Sequence, residues 1–220
     1  MKKSKESVFV SIRANQGRAE ALRDFLIAGA LVVKETEPGT LLWTALQFDE
    51  NTFAIFDTYP NPEAKAAHFQ GKVAAALAEK APLLIEGGWE DGVLKNVEHP
   101  KILGAKVAPK LPDRVAKAMF VRFTANKGKE EELAEFLFNG AAIIEETEPK
   151  TLYWYALQIN DNTFAVIDFF ADQAGIDAHL SGDVAVALSE KASELVEAGW
   201  EKGIMEKVKP FEVLTITAKQ

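Results

Sequence analysis

The chain has 220 residues, 48% hydrophobic and 26% charged, a balance typical of globular proteins and unlike that of disordered or membrane-spanning chains. It contains no cysteine, which excludes disulfides, thiolate metal sites and cysteine nucleophiles. A formal net charge of −8, without a concentrated stripe of Lys or Arg, argues against nucleic acid as a partner.

The sequence repeats itself. Adding 111 to a residue number between 8 and 97 gives its counterpart without a gap, and nearly half of the aligned pairs are identical. Such self-similarity indicates duplication. We therefore predict two copies of one domain, residues 1–108 and residues 116–220, joined by a segment whose two prolines suit an extended linker.

In chain order, residues 8–14 alternate apolar and polar side chains, which predicts a half-buried strand. After Gly17, apolar residues recur at helical spacing until Pro38, which cannot continue a helix. Residues 40–48 and 52–59 are β-rich and separated by a three-residue loop. They predict an antiparallel hairpin.

A second helical region follows the hairpin. Asn61 precedes a proline, which predicts a capped helix start, and Asp172 takes the capping role in the second copy. We expect a break near Gly71 and a fourth strand over residues 92–97. Residues 102–107 and 213–218 predict two further edge strands, which we expect to cross between the copies.

The element order β-α-β-β-α-β is the ferredoxin-like arrangement, in which helices cover one face of the sheet and leave the other apolar. The predicted fold class is therefore α+β. We expect two ferredoxin-like repeats packed sheet to sheet as an intrachain dimeric α/β barrel, a pseudo-dimer within one chain. Further association into a homodimer stays open. With no export signal or membrane span apparent, we expect a cytoplasmic protein that does not bind membranes.

Several short motifs, present in both copies, resemble the antibiotic biosynthesis monooxygenase domains and the related quinol monooxygenases. The second copy departs from the pattern at Lys150, where the family has Gly. The motifs are Glu37-Pro38-Gly39-Thr40, the strand Thr52-Phe53-Ala54-Ile55-Phe56-Asp57, Ala67-His68-Phe69 and Ile102-Leu103-Gly104-Ala105-Lys106 in the first copy, with Glu148-Pro149-Lys150-Thr151, residues 164–168 and Ala178-His179-Leu180 in the second.

This resemblance implies a dimeric α/β barrel with an internal pocket in each half. In the enzymes of the family it also implies oxygenation of a phenolic or quinol substrate by dioxygen without metal, flavin or haem. No cofactor is therefore expected. Such chemistry requires a base, donors that hold an oxyanion and an apolar cavity.

His68 and His179 are the first candidates for a catalytic base, because imidazole titrates near neutral pH. Asp57 and Asp168 are candidate catalytic orienting residues, since each lies in an otherwise apolar strand where a carboxylate needs a partner. The alternatives are a capping or surface histidine and an aspartate that accepts hydrogen bonds at a strand end.

The hairpin predicts the substrate-binding residues. With a three-residue loop, Trp43 lies across from Asp57 and Trp154 from Asp168, with Gln47 and Gln158 on the same face. The tryptophans could stack on an aromatic ligand, although most buried tryptophans belong to the core. We expect Trp89 and Trp200 to be packing residues outside the pockets.

Arg13 and Arg122 are strand residues at positions that do not correspond between the copies. Either could hold an anion in one pocket, and the alternative is an arginine that faces solvent. The three histidines form no metal-ligand spacing, so no metal site is expected.

We therefore expect a cofactor-independent monooxygenase that acts on a small phenolic or quinol-like molecule. The alternatives are a non-catalytic protein that binds a hydrophobic metabolite and a haem-degrading type of barrel. The last would need an axial ligand to iron.

Overall fold

The computed structural model describes residues 4–219 and confirms the predicted α+β fold class with two ferredoxin-like repeats. The chain divides into two compact units. The first unit comprises residues up to 100 together with those from 212 onward, and the second unit comprises residues 101–211.

The first unit has an antiparallel sheet with the order β4-β1-β3-β2-β9. Apolar side chains on one face of this sheet pack against the helices and form its core. The elements are β1 (Glu6–Arg13), α1 (Ala19–Thr36), β2 (Leu42–Gln47), β3 (Thr52–Tyr59), α2 (Pro62–Phe69), α3 (Lys72–Leu84), β4 (Val97–Glu98) and, from the far end of the chain, β9 (Lys209–Ala218).

The second unit repeats this plan with the strand order β6-β8-β7-β5 and a corresponding apolar core. Its elements are β5 (Lys101–Val107), β6 (Lys117–Thr124), α4 (Glu130–Thr147), β7 (Thr151–Gln158), β8 (Thr163–Phe170), α5 (Gln173–Leu180), α6 (Asp183–Leu195) and α7 (Gly199–Gly203).

The compact units differ from the two sequence copies in their last strands. Strand β5 ends the first copy but pairs with β7 in the second unit. Strand β9 ends the second copy, yet its residues 212–218 pair with β2 in the first unit. The expectation that these strands cross between the copies is thus confirmed, and each unit contains a strand encoded in the other copy.

The predicted helix boundaries are confirmed where capping chemistry determines them. The Asn61 side chain accepts a hydrogen bond from the Ala64 amide at the start of α2, and Asp172 accepts one from the Gly175 amide at the start of α5. The predicted break at Gly71 separates α2 from α3.

The fourth strand predicted over residues 92–97 is wrong. Only Val97 of that range lies in a strand, and Leu94–Asn96 forms a 3₁₀ turn. Local hydrogen bonds explain the difference, because the amides of Val93 and Leu94 both donate to the carbonyl of Trp89 and turn the chain.

Across residues 4–219, every helix is too short or too polar to traverse a lipid bilayer.

Candidate functional site

In the first unit the candidate site begins with an aspartate in the middle of the sheet. Asp57 of β3 pairs with Trp43 of β2 on one side and with Val8 of β1 on the other. The predicted hairpin register is therefore confirmed. The Asp57 side chain is only 1% exposed, so its carboxylate needs a polar partner.

His68, in the last turn of α2, is that partner. Its Nε2 atom lies 3.3 Å from Oδ2 of Asp57, and its Nδ1 atom lies 2.5 Å from Oε2 of Glu37. Glu37 follows the last residue of α1 and also accepts a hydrogen bond from the Thr40 hydroxyl at 3.2 Å. The imidazole is thus held between two buried carboxylates.

The second unit builds the same arrangement from corresponding residues. Asp168 pairs with Trp154 in the sheet, as predicted. His179 Nε2 lies 3.1 Å from Oδ2 of Asp168, and His179 Nδ1 lies 2.6 Å from Oε2 of Glu148. Thr151 donates to the same glutamate oxygen at 2.8 Å. We call these two clusters the Asp-His-Glu sets.

The surrounding charges favour a protonated imidazole in both sets. Burial opposes a charge on His179, but Asp168 and Glu148 outweigh burial and raise the pKa of His179 to about 10. The pKa of His68 is likewise raised, against burial, by Asp57 and Glu37. Burial would raise the pKa of Glu37, but the His68 hydrogen bond and charge lower it. Each imidazolium can therefore donate a hydrogen bond to both carboxylates.

The aspartates behave differently because they are more deeply buried. Burial raises the pKa of Asp57 to about 6, although His68 counteracts it. Burial raises the pKa of Asp168 in the same way, again against the effect of His179. The Oδ1 atoms of both aspartates are buried and have no hydrogen bond of good geometry among the described residues, and the nearby Tyr59 hydroxyl lowers the pKa of Asp57 slightly against the effect of burial. Each unit therefore keeps one carboxylate oxygen available as an acceptor.

An apolar cavity adjoins each Asp-His-Glu set. The space open to the centre of a water molecule is about 50 Å³ in the first unit and about 60 Å³ in the second, enough for roughly four water molecules. With their openings included, the cavities contain about 570 and 580 Å³ of empty space. The lining residues with nitrogen or oxygen in their side chains are one aspartate, one histidine and two tryptophans in each unit.

The structure brings four pairs of aromatic or acid-base residues to these cavities. Trp43, Asp57 and His68 line the first cavity, and Trp154, Asp168 and His179 line the second. Trp89 and Trp200 also line them, so the expectation that these tryptophans lie outside the pockets is wrong. Both are only partly buried, which puts them on the solvent side of the lining.

The remaining predicted binding residues lie elsewhere. Gln47 and Gln158 are half-buried at the ends of β2 and β7, outside both linings. Arg13 is exposed and forms an ion pair with Glu86 at 3.2 Å. Arg122 is half-buried, with its guanidinium 5.7 Å from the ring centre of Phe120.

The arginine positions follow from strand periodicity. Residues 8 and 10 of β1 line the first cavity, and residues 119, 121 and 123 of β6 line the second. Side chains alternate between the two faces along a strand. Arg13 and Arg122 therefore lie on the opposite faces, and neither is an anion clamp in these cavities.

Glu37 and Glu148 were not recognised as site residues from the sequence. The available signal was an acidic residue immediately before a proline in both copies, at the end of a helix, where the helix dipole disfavours a carboxylate. A glutamate that occurs at this unfavourable helix position in both copies indicates that a distant residue stabilises its charge. Here that partner is the histidine of α2 or α5.

The departure from the family pattern at Lys150 leaves the turn intact. A Cβ atom at Gly39 would lie 2.9 Å from the Cβ of Ala64, so the first unit has no room for a side chain there. The second unit has Gly175 where the first has Ala64, which makes room for Lys150. Of the two contacting positions, the first unit thus has its glycine at 39 and the second unit has its glycine at 175, the counterpart of 64.

Over the described residues, no group of three or more His, Cys, Asp or Glu side chains is arranged to hold a metal ion.

Comparisons with known proteins support the fold. No protein-family model matches the chain, and the search of curated proteins found no match. Among solved structures, a candidate monooxygenase from Fusobacterium nucleatum is 19% identical with a TM-score of 0.77, covering 100% of this chain and 96% of that one. A candidate monooxygenase from Lactobacillus acidophilus is 14% identical with a TM-score of 0.79, covering 98% and 97%.

A third similar structure is a ferredoxin-fold protein from Listeria monocytogenes related to antibiotic biosynthesis monooxygenases. It is 8% identical, has a TM-score of 0.54 and covers 96% of both chains. At these identities the likeness shows a shared fold, one that monooxygenase-related proteins also adopt, and leaves the activity of this chain to its own residues.

Proposed function

We propose that each unit deprotonates a small hydroxylated aromatic molecule, a phenol or quinol, and thereby prepares it for reaction with dioxygen. One observation carries this proposal. In both units a buried aspartate with an unpartnered oxygen lines an apolar cavity beside a histidine whose raised pKa favours its charged form. Such a carboxylate is an acceptor for the hydroxyl proton of a bound ligand.

The roles of the aspartate and the histidine are therefore the reverse of those expected from the sequence. An imidazolium at neutral pH has no free nitrogen to take up a proton. Asp57, whose pKa is about 6, is mostly ionised at pH 7 and has Oδ1 available. We assign Asp57 and Asp168 as bases, and His68 and His179 as the charged donors that orient them.

The energetics of this transfer are reasonable. Moving a proton from a phenol with a pKa near 10 to a carboxylate with a pKa of about 6 costs about 5 kcal/mol. The negative charge moves from the carboxylate to the ligand while the imidazolium stays in place, so the phenolate retains a nearby positive charge. The low polarity of the cavity strengthens this attraction.

The oxygenation itself needs no external reductant. A phenol or hydroquinone with a C–H bond ortho or para to a hydroxyl supplies all four electrons that reduce one dioxygen molecule. One oxygen atom forms a bond to the ring carbon, and the other leaves as water, giving the quinone. The proton held by the aspartate returns to the peroxide intermediate and assists cleavage of the O–O bond.

The cavity walls favour a flat aromatic ligand. The walls include two tryptophans in each unit, and such rings pack well against aromatic ligands. They are Trp43 and Trp89 in the first unit and Trp154 and Trp200 in the second. Because the space open to the centre of a water molecule is only about 50 Å³ in one cavity and about 60 Å³ in the other, we expect single-ring phenols and hydroquinones to be better substrates than naphthols.

The test is dioxygen consumption with a panel of phenols, hydroquinones and naphthols. The double variant Asp57→Asn/Asp168→Asn should lose activity by about 10²- to 10⁴-fold, the usual contribution of a general base. Asp49→Asn is the matched control, because Asp49 accepts two hairpin amides and Asn160 does the same in the second unit. An unchanged rate in the double variant would remove the aspartates as bases.

The alternatives make different predictions. A binding protein for a hydrophobic metabolite would bind members of the panel without consuming dioxygen. Haem degradation is less well supported, because both ring nitrogens of His68 and of His179 face carboxylates and neither is directed at an iron ligand position.

A further inference from the structure

The ends of α1 and α4 carry an electrostatic conflict. The last carbonyl groups of a helix lack intrahelical partners and form the negative end of its dipole. Glu37 and Glu148 stand at these ends, where a carboxylate is disfavoured. Both helix ends therefore need a compensating positive charge if the glutamates are to stay next to the histidines.

A lysine supplies that charge in each unit. Lys219 donates to the carbonyls of Val33 and Glu37 at the end of α1. Lys106 donates to the carbonyls of Ile144, at 3.3 Å, and Glu148, at 2.5 Å, at the end of α4. Lys106 is only 8% exposed, so these carbonyls replace nearly all the water around its ammonium group.

The two lysines do not occupy equivalent sequence positions. The counterpart of Lys106 in the second copy is Thr217, and Lys219 comes two residues later. Side chains two residues apart share one face of a strand, so each lysine can reach the corresponding helix end of its own unit. The contact is thus present in both units although different positions provide it.

Each lysine is encoded in one sequence copy but belongs to the compact unit formed mainly by the other copy. Lys106, in β5 of the first copy, belongs to the second unit, and Lys219, after β9 of the second copy, belongs to the first unit. Lys106, which donates to the carbonyl of Glu148, is therefore encoded in the same sequence copy as the first Asp-His-Glu set. Lys219, which donates to the carbonyl of Glu37, is encoded in the same copy as the second set.

We propose that Lys219 and Lys106 are positioning residues for the first and second Asp-His-Glu sets. Each fixes the helix end that carries the glutamate, and the glutamate in turn holds Nδ1 of the histidine. The last segment of each sequence copy thus completes the site of the other copy. The proposal deepens the proposed function and relies on it for the role of the histidines.

The experiment is proton and nitrogen magnetic resonance of the histidine side chains, which requires no substrate. The chain has only three histidines, and His99 lies outside both sets. Lys219→Met should weaken the Nδ1 proton signal of His68 or shift it upfield and leave His179 unchanged. Lys106→Met should do the opposite.

Matched variants distinguish positioning from general damage. Lys101→Met changes an exposed lysine on the same strand as Lys106 and should alter neither signal. Arginine can also donate to carbonyls, so Lys106→Arg and Lys219→Arg should largely restore the signals and provide folded variants for the measurement.

An effect of Lys106→Met on His68, or no effect of either lysine on any histidine, would overturn the proposal. Crossed effects in a protein that consumes no dioxygen would instead leave the positioning role standing and remove the oxygenase assignment. The two failures are therefore distinguishable.

Discussion

The two units keep the same Asp-His-Glu set while the residues around it differ. Tyr59 packs against His68 with 5.4 Å between ring centres, and Phe170 packs against His179 at 5.6 Å. The cavity of the first unit includes Val8 where the second has Met119. The acid-base geometry therefore does not depend on one particular surrounding, because two different sets of neighbours support it.

The largest stability effect should come from removing the histidines. His179→Asn leaves Asp168 and Glu148 buried without their cation, which should lower the free energy of unfolding by about 3–5 kcal/mol. His68→Asn should act similarly in the first unit. His99→Asn is the control, with an expected change within about 0.5 kcal/mol because His99 is exposed. Chemical denaturation measures all three.

The same variants predict a pH dependence. The pKa of His179 is about 10 in the folded protein against an ordinary value of 6.5, so protonation stabilises the folded state. This stabilisation is complete below pH 6.5 and is lost as the pH rises towards 10. The difference in unfolding free energy between the wild type and His179→Asn should therefore shrink over that window. A difference independent of pH would contradict a charged His179.

A smaller effect should come from the exchanged glycines. Gly39→Ala would bring a Cβ atom to 2.9 Å from the Cβ of Ala64, so we expect a loss of about 1–3 kcal/mol in the first unit. Adding Ala64→Gly copies the second unit and should recover most of that loss. If the two changes proved additive in thermal unfolding, steric compensation would not be the reason for the exchange.

The smallest effect should come from the tyrosine. The Tyr59 hydroxyl is buried beside the Asp57 carboxylate without a hydrogen bond of good geometry, so Tyr59→Phe should change stability by less than about 1 kcal/mol. The reciprocal Phe170→Tyr should be mildly destabilising. A loss of more than about 1 kcal/mol in Tyr59→Phe would mean that the hydroxyl has a favourable role in the folded state.

Local chemistry made much of the fold predictable. The capping side chains of Asn61 and Asp172, the break at Gly71 and the hairpin register are each determined by a few adjacent residues. The register then placed Trp43 opposite Asp57. The 3₁₀ turn at Leu94–Asn96 was missed because its β-prone residues form local hydrogen bonds to Trp89 that composition does not reveal.

The site was less predictable because it depends on contacts between distant segments. Residue type alone indicates the aspartates and histidines as candidates, but the glutamates that bind the same imidazoles lie 31 residues away along the chain. The arginines lie outside the cavities expected for them, because a charged strand residue can occupy either face of the sheet and only the strand register decides which one. The charge of the histidines follows from having two carboxylate neighbours, which no single segment shows.

The most direct test of the central claim is the protonation state of the three histidines at pH 8, measured by nitrogen magnetic resonance. His179, whose pKa is about 10, should carry protons on both ring nitrogens, and His68, whose pKa is raised by its own two carboxylates, should be protonated to a greater extent than His99. His99, whose pKa is lowered by partial desolvation of its ring and then by Lys65, should be neutral in the same sample. Neutral rings at all three positions would contradict the charged Asp-His-Glu sets and, with them, the assignment of the aspartates as bases.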